Sequence, residues 1–214
     1  LDGYTSHLEV WLMLLRELGR KFPHESGANL SLGQAFIDGG HYTEEVYRFF
    51  QRLAKNPIEG INGKVYASKG YGKHGMPIIT RKVSTVAGNL KGNAIGTWDA
   101  KDRIYERLRM TDSGPGFMHY NQKFGENYFQ QLVVETVSIE YDGGQEIRKY
   151  MNEHNQRNEA LDLRVGNLAA VRRVARNWDH LEAKIAEEAA ALKTGEAAPT
   201  GDEGNYYVGK GWNL

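Results

Sequence analysis

The stretch FIDGGHYTEEVYRF, residues 36–49, changes period in its middle: an apolar run ends on an acid, two glycines follow, and later apolar positions fall three and four apart. Val46, Phe49, Phe50 and Leu53 share one helical face. Thr43 suits the helix N-cap, and Glu44 and Glu45 suit a first turn whose backbone N–H groups favour negative charge. Upstream, Leu30 to Asp38 reads as one buried strand with its acid at the C-terminal end. Strand, glycine turn and helix in that order belong to an α/β protein.

Working outward, His7 to Phe22 carries Leu8, Trp11, Leu15 and Leu18 at helical spacing before Gly19 and Pro23, a helix that covers one sheet face. KVYAS (64–68) reads as a second strand, and KGYGKHG (69–75) is too glycine-rich for regular structure. Asn93 to Trp98 reads as a strand ending at Asp99, followed by a helix with Ile104, Tyr105 and Leu108 on one side. SGPG (113–116) is a turn, FMHY (117–120) a short strand, and Glu126 to Val134 a helix. TVSIEYDGGQEIRKYM (136–151) is a hairpin turning at Asp142, Gly143 and Gly144. From Asn158 a long helix places Leu161, Val165, Leu168, Ala169, Ala175 and Trp178 on one stripe. The organisation expected is one domain over residues 1–192, then a flexible linker and an aromatic tail over 193–214.

The 214 residues, 40% hydrophobic and 25% charged, suffice for one substantial α/β core. The longest apolar runs are far short of a membrane span, no signal-peptide pattern opens the chain, and a cytosolic setting fits. The lack of cysteine removes thiolate nucleophiles, disulfides and sulfur-ligated zinc, and leaves carboxylates with hard cations as the available metal chemistry. With 27 basic and 27 acidic residues, a nucleic-acid partner needs a local basic surface.

Asp38 and Asp99 fall at strand ends and Asp162 near the start of a late helix, with Glu159 one turn before it. Ligands of α/β sheets gather beyond the strand ends, so three such carboxylates suit Mg²⁺ or Mn²⁺. Two ions roughly 4 Å apart would activate water and stabilise the leaving oxygen of a phosphodiester. Gly39 and Gly40, lacking side chains, would let a phosphate approach the backbone beside Asp38. Each acid also has a plainer reading: Asp38 as the start of a turn, Asp99 as a helix N-cap, Asp162 as a first-turn charge.

This order of acids, with FIDGGHYTEEVYRF, VYASKG and GMPII, IGTWDAKDRIYERL, GPGFMHY and RNEALDLRVGNLAAVR around them, resembles the nuclease domain of tailed-phage large terminase subunits of the lambda type. The likeness runs from about Trp11 to about Trp178. It implies a ribonuclease H-like mixed β-sheet flanked by helices, with Asp38 as the first-strand metal ligand and Asp162 as the helix ligand. The middle acid is Asp99 or Asp102, and Glu159 is an additional ligand or a partner of the ligands. The implied activity is cleavage of concatemeric viral DNA in the host cytoplasm, at the procapsid. The implied partners are double-stranded DNA, an ATPase domain of the same subunit, a small terminase subunit and the portal protein, with no membrane. The phosphate loop G-x-x-x-x-G-K-[ST] is absent, so translocation would belong to an N-terminal part beyond this sequence.

Lys64, Lys69, Lys73, His74, Arg81 and Lys82 concentrate positive charge on the second strand and its glycine-rich extension, suited to a DNA backbone read without sequence preference. His41 and His119 are left out of the catalytic set. Tyr206, Tyr207 and Trp212 are expected to dock on a partner or fold back on the domain. Two rival readings stand beside the nuclease. One is a restriction-type site with Asp99-Ala100-Lys101 as a D-x-K element on one strand face; the other is a non-catalytic DNA-binding module of a packaging motor.

Overall fold

The computed structural model describes residues 7–80, 82–174 and 178–194. Helix α1 (Leu8–Gly19) opens it, followed by a minimal antiparallel pair, β1 (Phe22–Pro23) and β2 (Asn29–Leu30). The expected single strand from Leu30 to Asp38 is therefore two pieces, with β3 (Ala35–Asp38) entering the main sheet alone. Helix α2 (Thr43–Lys55), β4 (Val65–Tyr71), β5 (Ser84–Ala87), β6 (Leu90–Gly96) and α3 (Thr97–Leu108) follow. The second half holds α4 (Glu126–Leu132), the hairpin β7 (Thr136–Asp142) and β8 (Gln145–Met151), α5 (Glu159–Val174) and α6 (Trp178–Thr194).

The main sheet has the order β3-β4-β6-β5: the first three strands are parallel, and β5 lies antiparallel on the edge of β6. Alternation along each strand sorts the side chains into two cores. Ala35 and Ile37 of β3, Val65 and Ala67 of β4, and Leu90 of β6 pack with Trp11 and Leu15 of α1 and Phe49 and Leu53 of α2. Trp11 stacks on Phe49 with ring centroids 4.8 Å apart. On the opposite face Phe36 and Ile95 pack with Ala100 and Ile104 of α3 and Leu161, Val165 and Ala169 of α5. The result is a three-layer α/β/α arrangement in which Asp38, two residues after Phe36, faces the α3/α5 side.

Several local expectations change. Residues 117–120 form no strand, and β4 continues through Lys69, Gly70 and Tyr71, because pairing with β6 extends to Tyr71↔Gly96 and satisfies the backbone of those glycine-rich residues. Ser84–Ala87 forms a strand that its polar sequence did not announce. Thr43 does not cap α2 as an acceptor: its hydroxyl donates to the Gly39 carbonyl at 2.8 Å, and the preceding Tyr42 is in the left-handed region at φ 50°. Helix α5 is described as far as Val174; Trp178, expected on the buried stripe, opens α6 with 57% of its surface exposed, and Ala175 lies outside the described residues. The expected docking tail, with Tyr206, Tyr207 and Trp212, also lies outside them.

Gly39 answers to packing rather than to an approaching phosphate. It is buried, its N–H donates to the Ser68 carbonyl at 2.7 Å, and a Cβ there would come within 2.4 Å of Leu90 Cδ2. Leu90 is itself 1% exposed and has no room to yield. Gly39→Ala is expected to destabilise the fold by about 1–3 kcal/mol through overpacking, read as a lower urea midpoint at unchanged slope.

Candidate active site

Asp38 ends β3 and its Oδ1 accepts the Gly40 N–H at 3.0 Å, a local bond that holds the carboxylate over the turn. The same carboxylate lies against Gly40: a Cβ there would sit 3.3 Å from both oxygens, so the second glycine keeps this acid's surroundings open. The parallel register Asp38↔Ser68 marks this as the C-terminal end of the sheet.

Helix α5 packs across β3 and brings Asp162, in its first turn, to that end. Asp162 keeps 59% of its side-chain surface open, yet its pKa is raised above the ordinary aspartate value. Partial withdrawal of the carboxyl from water is the first cause; the Lys101 ammonium opposes it, and the charges of Glu135, Asp38 and Glu159 add to it. The Asp38 charge thus reaches Asp162, and the crowd of acids around Asp162 is one that a cation would relieve. Glu159 itself is exposed and accepts from Arg157 Nε at 2.9 Å.

Two further members, Glu135 and Lys101, lie outside the main sequence-derived site; Lys101 entered only the rival D-x-K reading, and Glu135 neither. Glu135, just before β7, is 9% exposed, and both its carboxylate oxygens accept from Lys101 Nζ, Oε1 at 2.7 Å and Oε2 at 2.6 Å. Asn158 Nδ2 donates to Oε1 at 2.8 Å, and the Tyr105 hydroxyl donates to the Glu135 backbone carbonyl at 3.3 Å. Lys101 is 8% exposed, lies 4.0 Å from Asp162 Oδ1 and sits 5.6 Å from the centre of the Tyr150 ring. Tyr150 stacks on Tyr105 with centroids 5.7 Å apart and donates to Asp102 Oδ1 at 2.5 Å, while Arg148 pairs with the same oxygen at 3.2 Å. Burial and the Glu135 charge push the Tyr105 hydroxyl up to about 12, and burial with the Asp102 bond raises Tyr150, so both stay protonated donors at neutral pH.

Asp99 and Asp102 do not join Asp38 and Asp162. Both line a surface depression with Pro77, Ile78, Glu106 of α3 and Arg172 of α5, and Asp102 is held by Tyr150 and Arg148. The reason is helical geometry: residues two apart on a helix point in nearly opposite directions, so when Lys101 turns inward Asp99 must turn out. The same geometry removes the strand that a D-x-K element requires, since residues 99–101 are the first turn of α3. Among the described residues, no three His, Asp or Glu side chains come together closely enough to hold a metal ion.

Of the basic residues, Lys69 lies one position beyond Ser68 at the acidic end of the sheet, with Nζ 5.8 Å from the Tyr71 ring centre. Lys73, His74 and Lys82 are exposed in the segments that follow. Lys64 precedes the pair Ala35↔Val65 at the other end of β4, roughly 13 Å from Ser68 along the strand, and is not beside the acids. Arg81 lies outside the described residues.

Two signals could have disclosed the missed members. Lys101 occupies an inward position of α3, between Ala100 and Ile104, and a lysine there is rarely buried unless paired. Glu135 interrupts the apolar run Val133, Val134 and Val137 with an acid. What neither signal carries is that the two meet, 34 residues apart.

Residues 1–182 match the family described as terminase large subunit gpA, endonuclease domain. The chain is 25% identical over 184 residues to a terminase large subunit of Enterobacteria phage P21, an alignment covering 82% of this chain and 28% of that protein. It is 27% identical over 169 residues to the terminase large subunit of Escherichia phage lambda, covering 75% of this chain and 25% of that one. The chain therefore spans about a quarter of the length of these relatives. No solved structure matches it.

Proposed function

The chain belongs to the terminase large subunit gpA endonuclease domain family, and on that premise we propose that it cuts double-stranded DNA by hydrolysis dependent on Mg²⁺ or Mn²⁺ at the Asp38/Asp162 end of its sheet. The observation that carries this reading is that α5, packed on β3, brings Asp162 within reach of the Asp38 charge at the C-terminal end of the sheet. A ribonuclease H-like origin is the fold we propose with it, supported by three parallel strands, an acid ending the first, and α5 lying across it.

The donor set fits a hard divalent ion. Mg²⁺ is commonly held by one or two carboxylates together with water and substrate phosphate oxygens, and Asp38 and Asp162 supply two such carboxylates. When bound, the ion would activate water and neutralise charge on the phosphate. Asp38, fixed by the Gly40 N–H, and Asp162, fixed by the first turn of α5, would hold it; neither would need to carry a proton. Lys69, Lys73 and Lys82 supply the DNA-backbone contacts, Glu159 stays at the rim as a charge near Asp162, and Asp99 lies on the other face of α3. The ATPase domain, small terminase subunit and portal remain the proposed partners in genome packaging, with action in the host cytoplasm; among the described residues, no helix is long and apolar enough to cross a membrane.

The test is a supercoiled plasmid incubated with the chain and increasing Mn²⁺, with melting followed in parallel. Nicking that rises with Mn²⁺, and a melting temperature that rises with it, are expected. Neither nicking nor a melting shift at millimolar Mn²⁺ overturns the proposal in favour of an inert packaging module.

The raised pKa of Asp162 adds a pH signature. Protons compete with the cation at Asp162, so Mn²⁺ affinity is expected to weaken on acidification at a pH above that where a free aspartate, with a pKa of about 3.9, titrates. Without the ion the sign is the opposite for stability: the folded state takes up this proton more readily than the unfolded chain, so the Asp162 contribution improves as pH falls through its raised pKa. Mn²⁺ titrations and urea midpoints across pH 4–7 (roughly, from those pKa ranges), compared with Asp162→Asn, separate the two; affinity independent of pH over that window would refute the assignment.

A further inference from the structure

Lys101 is a buried cation that the proposed chemistry does not use, set among the acids where divalent ions are expected. Its ammonium has three N–H groups. Two are taken by Glu135 Oε1 and Oε2, and Asp162 Oδ1 at 4.0 Å is too distant to take the third by hydrogen bonding. Glu135 is equally committed, since Asn158 holds Oε1 in addition to the lysine. An acid with both oxygens occupied by an ammonium and an amide is not free to complete a three-carboxylate cage, in agreement with the absence of such a cage among the described residues.

We propose that Lys101, held by Glu135 and Asn158, is a built-in cation that stands in for a second metal ion, so that the site takes one divalent ion, between Asp38 and Asp162, where the acids alone would invite two. The inference deepens the nuclease reading and rests on it. A fixed ammonium beside Asp162 supplies positive charge permanently and without a binding equilibrium, and its unused N–H remains available to an anionic oxygen in the site. Tyr150 over the ammonium and the Tyr105 hydroxyl on the Glu135 carbonyl fix both partners from the α3 and hairpin sides. Lys101 acts here as a positioning and charge-neutralising residue.

The stoichiometry of Mn²⁺ binding is the measurement, by calorimetry and by electron paramagnetic resonance of free Mn²⁺, on the chain as it stands. One ion per chain is expected. Two ions per chain together with plasmid nicking overturns this inference and leaves the nuclease proposal intact; no binding and no nicking overturns both. As a second arm, Lys101→Met combined with Glu135→Gln removes both charges at near-constant volume and leaves an amide for Asn158. That variant is expected to keep the fold by circular dichroism, to bind one ion, and to nick at least tenfold more slowly; nicking at the unaltered rate overturns the inference.

Discussion

Asp162→Asn and Asp38→Asn are each expected to lower Mn²⁺-dependent plasmid nicking by on the order of 10²-fold or more, since even residues that only orient metal ligands cost 10–100-fold when lost. The asparagines keep the shape of the site and remove one charge from a crowded group. Asp162 takes up a proton more readily than an ordinary aspartate, first because its carboxyl is partly withdrawn from water and then because the charges of Glu135, Asp38 and Glu159 act on it. Removing one acid relieves that repulsion, so both variants are expected to melt a few degrees higher than the parent chain without metal, while losing the rise that Mn²⁺ confers on the parent. Loss of activity with a raised metal-free melting temperature distinguishes a ligand from a structural acid. Parental nicking by either variant removes that residue from the site, and a lowered melting temperature assigns it a structural role instead.

Glu135→Ala is expected to be the most destabilising single change described here, by about 3–5 kcal/mol. The magnitude follows from what remains. Lys101 Nζ, in a side chain only 10% exposed, would lose both of its 2.6–2.7 Å acceptors, and Asn158 would lose its own. An uncompensated buried ammonium costs far more than the pair contributed, because two desolvated charges offset each other only while both are present. For a domain of this size the loss corresponds to roughly 10 °C in melting temperature. Urea unfolding reads it directly, and the Lys101→Met/Glu135→Gln double variant is expected to recover most of it. A Glu135→Ala chain as stable as the parent would mean that the pair is solvated in solution.

Local information in the sequence was enough for the fold class. Period-two alternation in AFID, helical spacing in Val46, Phe49 and Leu53, and the Asp-Gly-Gly turn between the hairpin strands are short-range patterns, and each element they imply is present. Where the reading failed, short-range signals were overridden by pairing. Gly70 and Tyr71 joined β4 because β6 offers them partners, and Gly39 proved to be shaped by Leu90, a residue 51 positions away in sequence.

The candidate site divides in the same way. The two acids of the proposed site, Asp38 and Asp162, each carry a local signature, an acid on a strand end and an acid opening an amphipathic helix. Asp99 carries the same signature and lies elsewhere, because one helix cannot turn residues 99 and 101 to the same side. The Lys101–Glu135 pair was not recoverable from either residue's neighbours: a charge is tolerated in a core only when its counter-charge is delivered to it, and that delivery depends on where α3 and the start of β7 come to rest. The sequence determined most of the elements and offered the candidate acids; the tertiary structure alone decided which charges meet, because Coulomb attraction and desolvation depend on distance and burial rather than on order along the chain.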